Sequence, residues 1–152
     1  MQRFRVLWVG KTAKGFPTEG VAYYQKRIRP LAELECVEIR AASHSGRDPA
    51  QALQAEGAAL LRRIAPQERV ILLDEGGIEL TSPRLADWLA ERQPAVFVIG
   101  GAYGVDPAVR ARAEHRLSLS RLTLPHQLVR IVLLEQLYRA LTIRQGHAYH
   151  HA

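Results

Sequence analysis

The 152-residue sequence predicts one α/β domain, a mostly parallel sheet with helices on both faces. Strand-like apolar runs alternate with helical stretches along the whole chain. Two of those runs, Val70-Ile71-Leu72-Leu73 and Val96-Phe97-Val98-Ile99, are apolar on both faces, as strands covered on both sides must be. No Ser/Gly-rich linker or repeat divides a chain whose length sits near the usual domain size.

The elements follow in order. Arg3 and Arg5 alternate with Phe4 and Val6, the pattern of a strand over 3–10 rather than of a secretion signal. A helix over 18–29, a strand over 34–39 and a helix over 49–64 come next. The double-sided strand over 70–74 leads to a helix over 82–92, and the strand over 95–100 to a short helix over 107–113. A strand over 116–119 precedes the longest helix, 125–144. In this last helix Thr123 and Pro125 read as the start, with the threonine hydroxyl as acceptor for an orphan amide and proline in the first turn. Leu128, Val129, Ile131, Val132, Leu133, Leu134, Leu137, Ala140 and Leu141 cover almost every face of it. A helix apolar all round must be buried, and a homodimer seam is the preferred explanation over a central core helix. Glu135 and Arg139 stand one turn apart in the order of an ordinary helix ion pair.

Composition narrows the class. Twenty-one Lys and Arg against 15 Asp and Glu give a formal charge of +6, which suits a polyanionic partner, most simply nucleic acid. The single cysteine, Cys36, excludes an internal disulfide and fits a reducing cytoplasm; its apolar-rich neighbourhood reads as a buried inert thiol. Arg130, Glu135 and Arg139 interrupt the best membrane-span candidate, so a soluble cytoplasmic protein is expected.

Ligands of parallel α/β sheets sit at the carboxyl ends of the strands. Three such ends carry the distinctive residues: Asp74-Glu75-Gly76-Gly77, Gly100-Gly101-Ala102-Tyr103-Gly104 and Ser120-Arg121-Leu122-Thr123. Glycines there let a ligand approach the main chain, although a Gly-Gly pair also serves as a plain tight connection. The Gly100–Gly104 run lacks the spacing and chain position of a dinucleotide fingerprint, which counts against a nicotinamide oxidoreductase. The His147, His150 and His151 tail permits a metal site, yet no cysteine or carboxylate ligand is adjacent, so no metal is expected.

Taken together, Phe97 to Gly104, Leu117 to Arg130 and Leu134 to Ala140 resemble the signature of the RlmH family, with Val9-Gly10-Lys11 and Leu73-Asp74 also in family positions. Those bacterial methyltransferases of the SPOUT superfamily modify a pseudouridine in the 23S RNA of the large ribosomal subunit. The resemblance implies a C-terminal trefoil knot, an obligate homodimer, and S-adenosylmethionine held by Leu73, Gly100, Gly101, Ser120, Arg121, Leu122, Thr123, Leu124 and Pro125. It also implies that N3 of the pseudouridine attacks the methyl carbon, with the assembled ribosome as the expected substrate. Proton removal falls to His126, His150 or Glu135, among which the sequence does not choose. Arg130 is expected to hold an RNA phosphate or orient the base, and Tyr149 and His150 to engage an extruded base. The tail departs from the family's His-Pro-Tyr-His-Arg ending at Ala148 and His151, losing the stiffness of proline and a permanent cation. A non-catalytic RNA-binding protein with the same architecture is the competing reading.

Overall fold

The computed structural model describes residues 2–43, 45–46, 48–91 and 94–151. Ten elements alternate: β1 (Arg3–Val9), α1 (Phe16–Ile28), β2 (Glu33–Ile39), α2 (Pro49–Arg62), β3 (Arg69–Glu79), α3 (Ser82–Glu91), β4 (Ala95–Ile99), α4 (Pro107–Arg112), β5 (His115–Ser118) and α5 (His126–Gln145). The five strands pair in parallel in the order β2-β1-β4-β3-β5. The expected α/β class is therefore the observed one; the predicted end of the third helix at Arg92 lies outside the described residues.

Strand alternation divides the core between two faces. Phe4, Val6, Trp8, Ile71, Phe97 and Ile99 meet Leu133, Leu134 and Leu137 of α5 and Leu85 and Leu89 of α3. Leu7, Val9, Val70, Leu72, Val96 and Val98 turn the other way, onto Leu60 of α2 and Val109 of α4. Proline in the first turn starts α2 and α4, and each has an aspartate cap: Asp48 accepts from the Ala50 amide at 3.2 Å and Asp106 from the Ala108 amide at 3.3 Å. Cys36 is half-buried on β2, and burial raises its thiol pKa.

Two expectations need correction. The third strand does not stop at Asp74. It bulges and continues to Glu79, so that Leu73 and Ile78 both register against Leu117. Gly77 makes that second pass possible: a Cβ there would stand 2.5 Å from the Arg116 carbonyl oxygen. Thr123 does not cap α5, whose N-cap is Pro125 without a side-chain bond; the threonine hydroxyl instead donates to Glu75. Part of the apolar circumference of α5 is covered within one chain, while Leu128, Val129, Ile131 and Val132 stay partly exposed. The helix lies against the sheet between α1 and α3, which leaves Leu133, Leu134, Leu137, Ala140 and Leu141 at most 1% exposed. Gly20 permits the α1 contact, since a Cβ there would lie 2.7 Å from Ile131 Cδ1. Among the described residues no helix is long and apolar enough to cross a membrane.

Candidate active site

Glycine geometry builds the first wall of a cleft at the strand ends. A Cβ on Gly100 would lie 2.6 Å from Val105 Cγ1 and 3.0 Å from the Gly104 carbonyl oxygen, so only glycine fits where the chain folds back after β4. The turn closes when the Gly104 amide donates to the Gly101 carbonyl at 3.1 Å, with Gly104 at φ +88°. The second wall is a serine turn after β5: Ser118 Oγ donates to the Ser120 carbonyl at 2.9 Å, and Ser120 Oγ accepts from the Leu122 amide at 2.9 Å. Between these loops lies a cleft of about 520 Å³, within the usual range for small-molecule sites.

Eight of the nine sequence-nominated donor residues line this cleft: Leu73, Gly100, Gly101, Ser120, Leu122, Thr123, Leu124 and Pro125. Arg121 does not, because its guanidinium turns outward to Glu79 at 2.6 Å, both side chains being well exposed. His126 joins the wall at the start of α5, and burial, followed by the charge of Arg130, lowers its imidazole pKa, leaving it neutral at pH 7. Asp74, Glu75 and Arg110 complete the polar lining. Asp74 accepts from the Gly76 amide at 3.0 Å and from Arg110 at 2.6 Å, which together hold its carboxyl below the usual range. Apolar walls, exposed main chain and few charges fit a nucleoside-sized ligand whose base is gripped by aliphatic side chains.

The tail forms a second cluster. Gly146 adopts the left-handed conformation at the end of α5, and the His147 amide donates to the Thr142 carbonyl at 2.9 Å, which turns the chain back along the helix. Tyr149 then donates its hydroxyl to Glu135 Oε2 at 2.9 Å and packs edge-on against Tyr138 at 4.7 Å. Burial and the Glu135 bond raise the tyrosine pKa, so the phenol stays protonated. Arg139 pairs with Glu135 at 2.7 Å, lies 4.8 Å from the Tyr149 ring centre, and donates to His150 Nδ1 at 3.1 Å. Arginine has no acceptor, so His150 Nδ1 is the accepting atom of this bond.

Comparison with known proteins identifies the architecture. A family model described as "Predicted SPOUT methyltransferase" matches residues 2–150. The chain belongs to the SPOUT methyltransferase family. It is 45% identical to the ribosomal RNA large subunit methyltransferase H of Gloeobacter violaceus, the match covering 98% of this chain and 99% of the relative. The proteins of that name from Anaeromyxobacter dehalogenans and Geobacter metallireducens are 45% and 42% identical, over 97% and 99% of this chain and 99% of each relative.

In this SPOUT chain the nominated residues fall into two separate groups. His126 stands at the cleft, whereas Glu135, Tyr149 and His150 gather with Arg139 farther along α5. At about 1.5 Å per residue, Arg139 lies roughly 20 Å along the axis from His126. Arg130 belongs to neither group. It is fully buried, donating to the Val9 carbonyl at 2.9 Å and to Thr12 Oγ1 at 3.1 Å. Its expected grip on an RNA phosphate is therefore not available in this structure, because the guanidinium points into the fold. Sequence reading passed over Arg139, which the helix ion-pair pattern explained too easily, and Arg110, which no motif marked.

Proposed function

We propose that this chain methylates N3 of a pseudouridine in large-subunit ribosomal RNA, with S-adenosylmethionine as donor. The observation that carries the reading is the cleft between the Gly100–Gly104 turn and the Ser120 turn. It is sized for a nucleoside, lined by main chain, and present in a SPOUT chain whose 42–45% identical relatives bear the name ribosomal RNA large subunit methyltransferase H. The donor supplies a methyl group already activated on a sulfonium. Leu73, Leu122 and Leu124 provide aliphatic surfaces for its base, and Gly100 and Gly101 leave their main chain open to it. In the displacement the N3–CH3 bond forms as the S–CH3 bond breaks, the N3 proton is lost, and a neutral thioether departs. Alignment is the protein's main contribution.

The reacting pair needs both groups of residues, yet roughly 20 Å of helix separates them in one chain. We therefore propose a homodimer in which the tail of one copy, with Tyr149 and His150, meets the cleft of the other. Exposed Leu122 and Ile78, 74% and 50% accessible, are apolar surface that such a dimer would cover. Tyr149, His150 and Arg139 then contact the extruded base. His126, neutral on the cleft wall, is the imidazole available to take the N3 proton; His150, whose Nδ1 already accepts from Arg139, contacts the base, and Glu135 orients Tyr149 and Arg139 rather than acting on the base. This reading makes the protein a cytoplasmic enzyme of the ribosome, with 23S RNA as its partner and the family's trefoil knot formed by the two cleft loops.

Ribosomal subunits lacking the modification, incubated with the protein and isotopically labelled donor, test the reading. Mass spectrometry of RNA digests is expected to find the label on a pseudouridine. Donor binding without any methyl transfer to ribosomal RNA would favour the non-catalytic alternative.

A further inference from the structure

We infer that the loop between β1 and α1 binds a phosphate of the RNA backbone at the rim of the cleft, with Lys11 and Lys14 as its cations. This inference rests on the methyl-transfer reading and deepens it.

The loop is held far more tightly than a connection requires. The Gly10 amide donates to the Ile39 carbonyl at 2.7 Å, the Thr12 amide to Glu38 Oε1 at 3.0 Å and the Ala13 amide to Gln127 Oε1 at 2.9 Å. Gln127 Nε2 returns a bond to the Lys11 carbonyl at 2.9 Å, and Thr18 Oγ1 donates to the Ala13 carbonyl at 2.7 Å. Arg130 completes the frame from beneath. Burying a guanidinium against a carbonyl and a hydroxyl is costly, and here the cost goes into fixing the shape of an exposed loop.

Lys11 and Lys14 are what that frame presents. Both are exposed, and neither side-chain ammonium makes a hydrogen bond or ion pair with the described residues. Two contacts put them beside the cleft. A Cβ on Gly101 would stand 3.3 Å from Val9 Cγ1, so the end of β1 abuts the first cleft wall. Gln127, which grips the loop twice, directly follows His126 on the other. Fixed cations next to a reacting base suit the phosphate beside that base, because they set its register before the base enters. Arg130 and Gln127 are positioning residues for this contact.

Lys11→Gln, Lys14→Gln and the double variant test the inference in the intact protein. The measurements are binding of unmodified ribosomal subunits across a salt series, KM for those subunits, and the Kd of S-adenosylmethionine. Each lysine is expected to lower the magnitude of the log–log salt slope by about one. KM should rise in both single variants, while donor affinity and thermal midpoint stay at wild-type values. Arg130→Gln should shrink the effect of Lys11→Gln, a non-additivity that loss of packing alone would not produce. An unchanged slope in the double variant overturns the inference. A fall in donor affinity does so as well, by assigning the lysines to the donor's carboxylate. Wild-type protein that binds subunits but transfers no methyl group refutes the enzymatic reading instead, and the salt slopes still decide the phosphate site.

Discussion

Glu135 is the acceptor that joins Tyr149 and Arg139, and its removal should act on RNA methylation without touching the donor cleft. Tyr149 and Arg139 reach Oε2 at 2.9 and 2.7 Å, and the carboxylate and guanidinium side chains are only 17% and 24% exposed. A hydrogen bond to a charged group contributes about 1.5–3 kcal/mol net, and a neutral one about 0.5–1.5 kcal/mol. Glu135→Gln keeps an oxygen for the phenol, so it should weaken tail docking by about 1–2 kcal/mol, roughly five- to thirtyfold. Glu135→Leu removes the acceptor and should cost about ten- to a hundredfold. Steady-state methylation of deficient ribosomal subunits reads these losses in kcat/KM, and calorimetry reads the donor Kd. Because the donor is held by the Gly100–Gly104 and Ser120 turns while the tail of the partner copy meets the base in the proposed dimer, donor affinity should remain at the wild-type value. Wild-type kcat/KM in Glu135→Leu would refute the reasoning, as would a parallel drop in donor affinity.

Three further outcomes follow from the geometry. Gly100→Ala forces a methyl group against Val105 and the Gly104 carbonyl, so it should destabilise the fold by about 1–3 kcal/mol in urea titrations and weaken donor binding at least tenfold. His126 has a lowered pKa, so between its folded value and the ordinary imidazole value the unfolded chain binds more protons. Its contribution to stability is complete above the ordinary imidazole pKa and is lost as pH falls through the folded value; thermal midpoints measured from pH 8 to 5 should decline less in His126→Asn. Finally, a chain truncated after Gly146 and a Gly100→Leu chain should each be inactive, and co-refolding them should recover methylation, because a mixed dimer keeps one intact tail facing one intact cleft. Mixtures as inactive as their components would argue against a shared site.

The sheet was legible because burial on both faces leaves an unmistakable apolar run: Val70 to Leu73 and Val96 to Ile99 face helices on each side. The far half of β3 was not legible. Asp74, Glu75, Gly76 and Gly77 read as a strand end because turn residues and bulge residues are the same residues, and only proximity to the Arg116 carbonyl distinguishes them. The apolar circumference of α5 was equally ambiguous, since a seam between chains and a slot between α1 and α3 impose the same composition.

Site residues separate by whether type or direction decides their role. Gly100 and Gly101 act through the absence of a side chain, so recognising them in order was enough to find the cleft. An arginine acts through where its guanidinium points, and sequence position does not say. Arg121 sits within the cleft-forming loop yet turns to Glu79, and Arg130, one turn after His126, turns inward to Val9 and Thr12. The inward turn has a consequence for the electrostatics of RNA docking. A charge fixed in the interior cannot neutralise a phosphate; in the proposed RNA contact that task passes to the loop that Arg130 holds, where Lys11 and Lys14 remain in solvent. Arg130 thus exchanges a direct contact for control over the placement of two others.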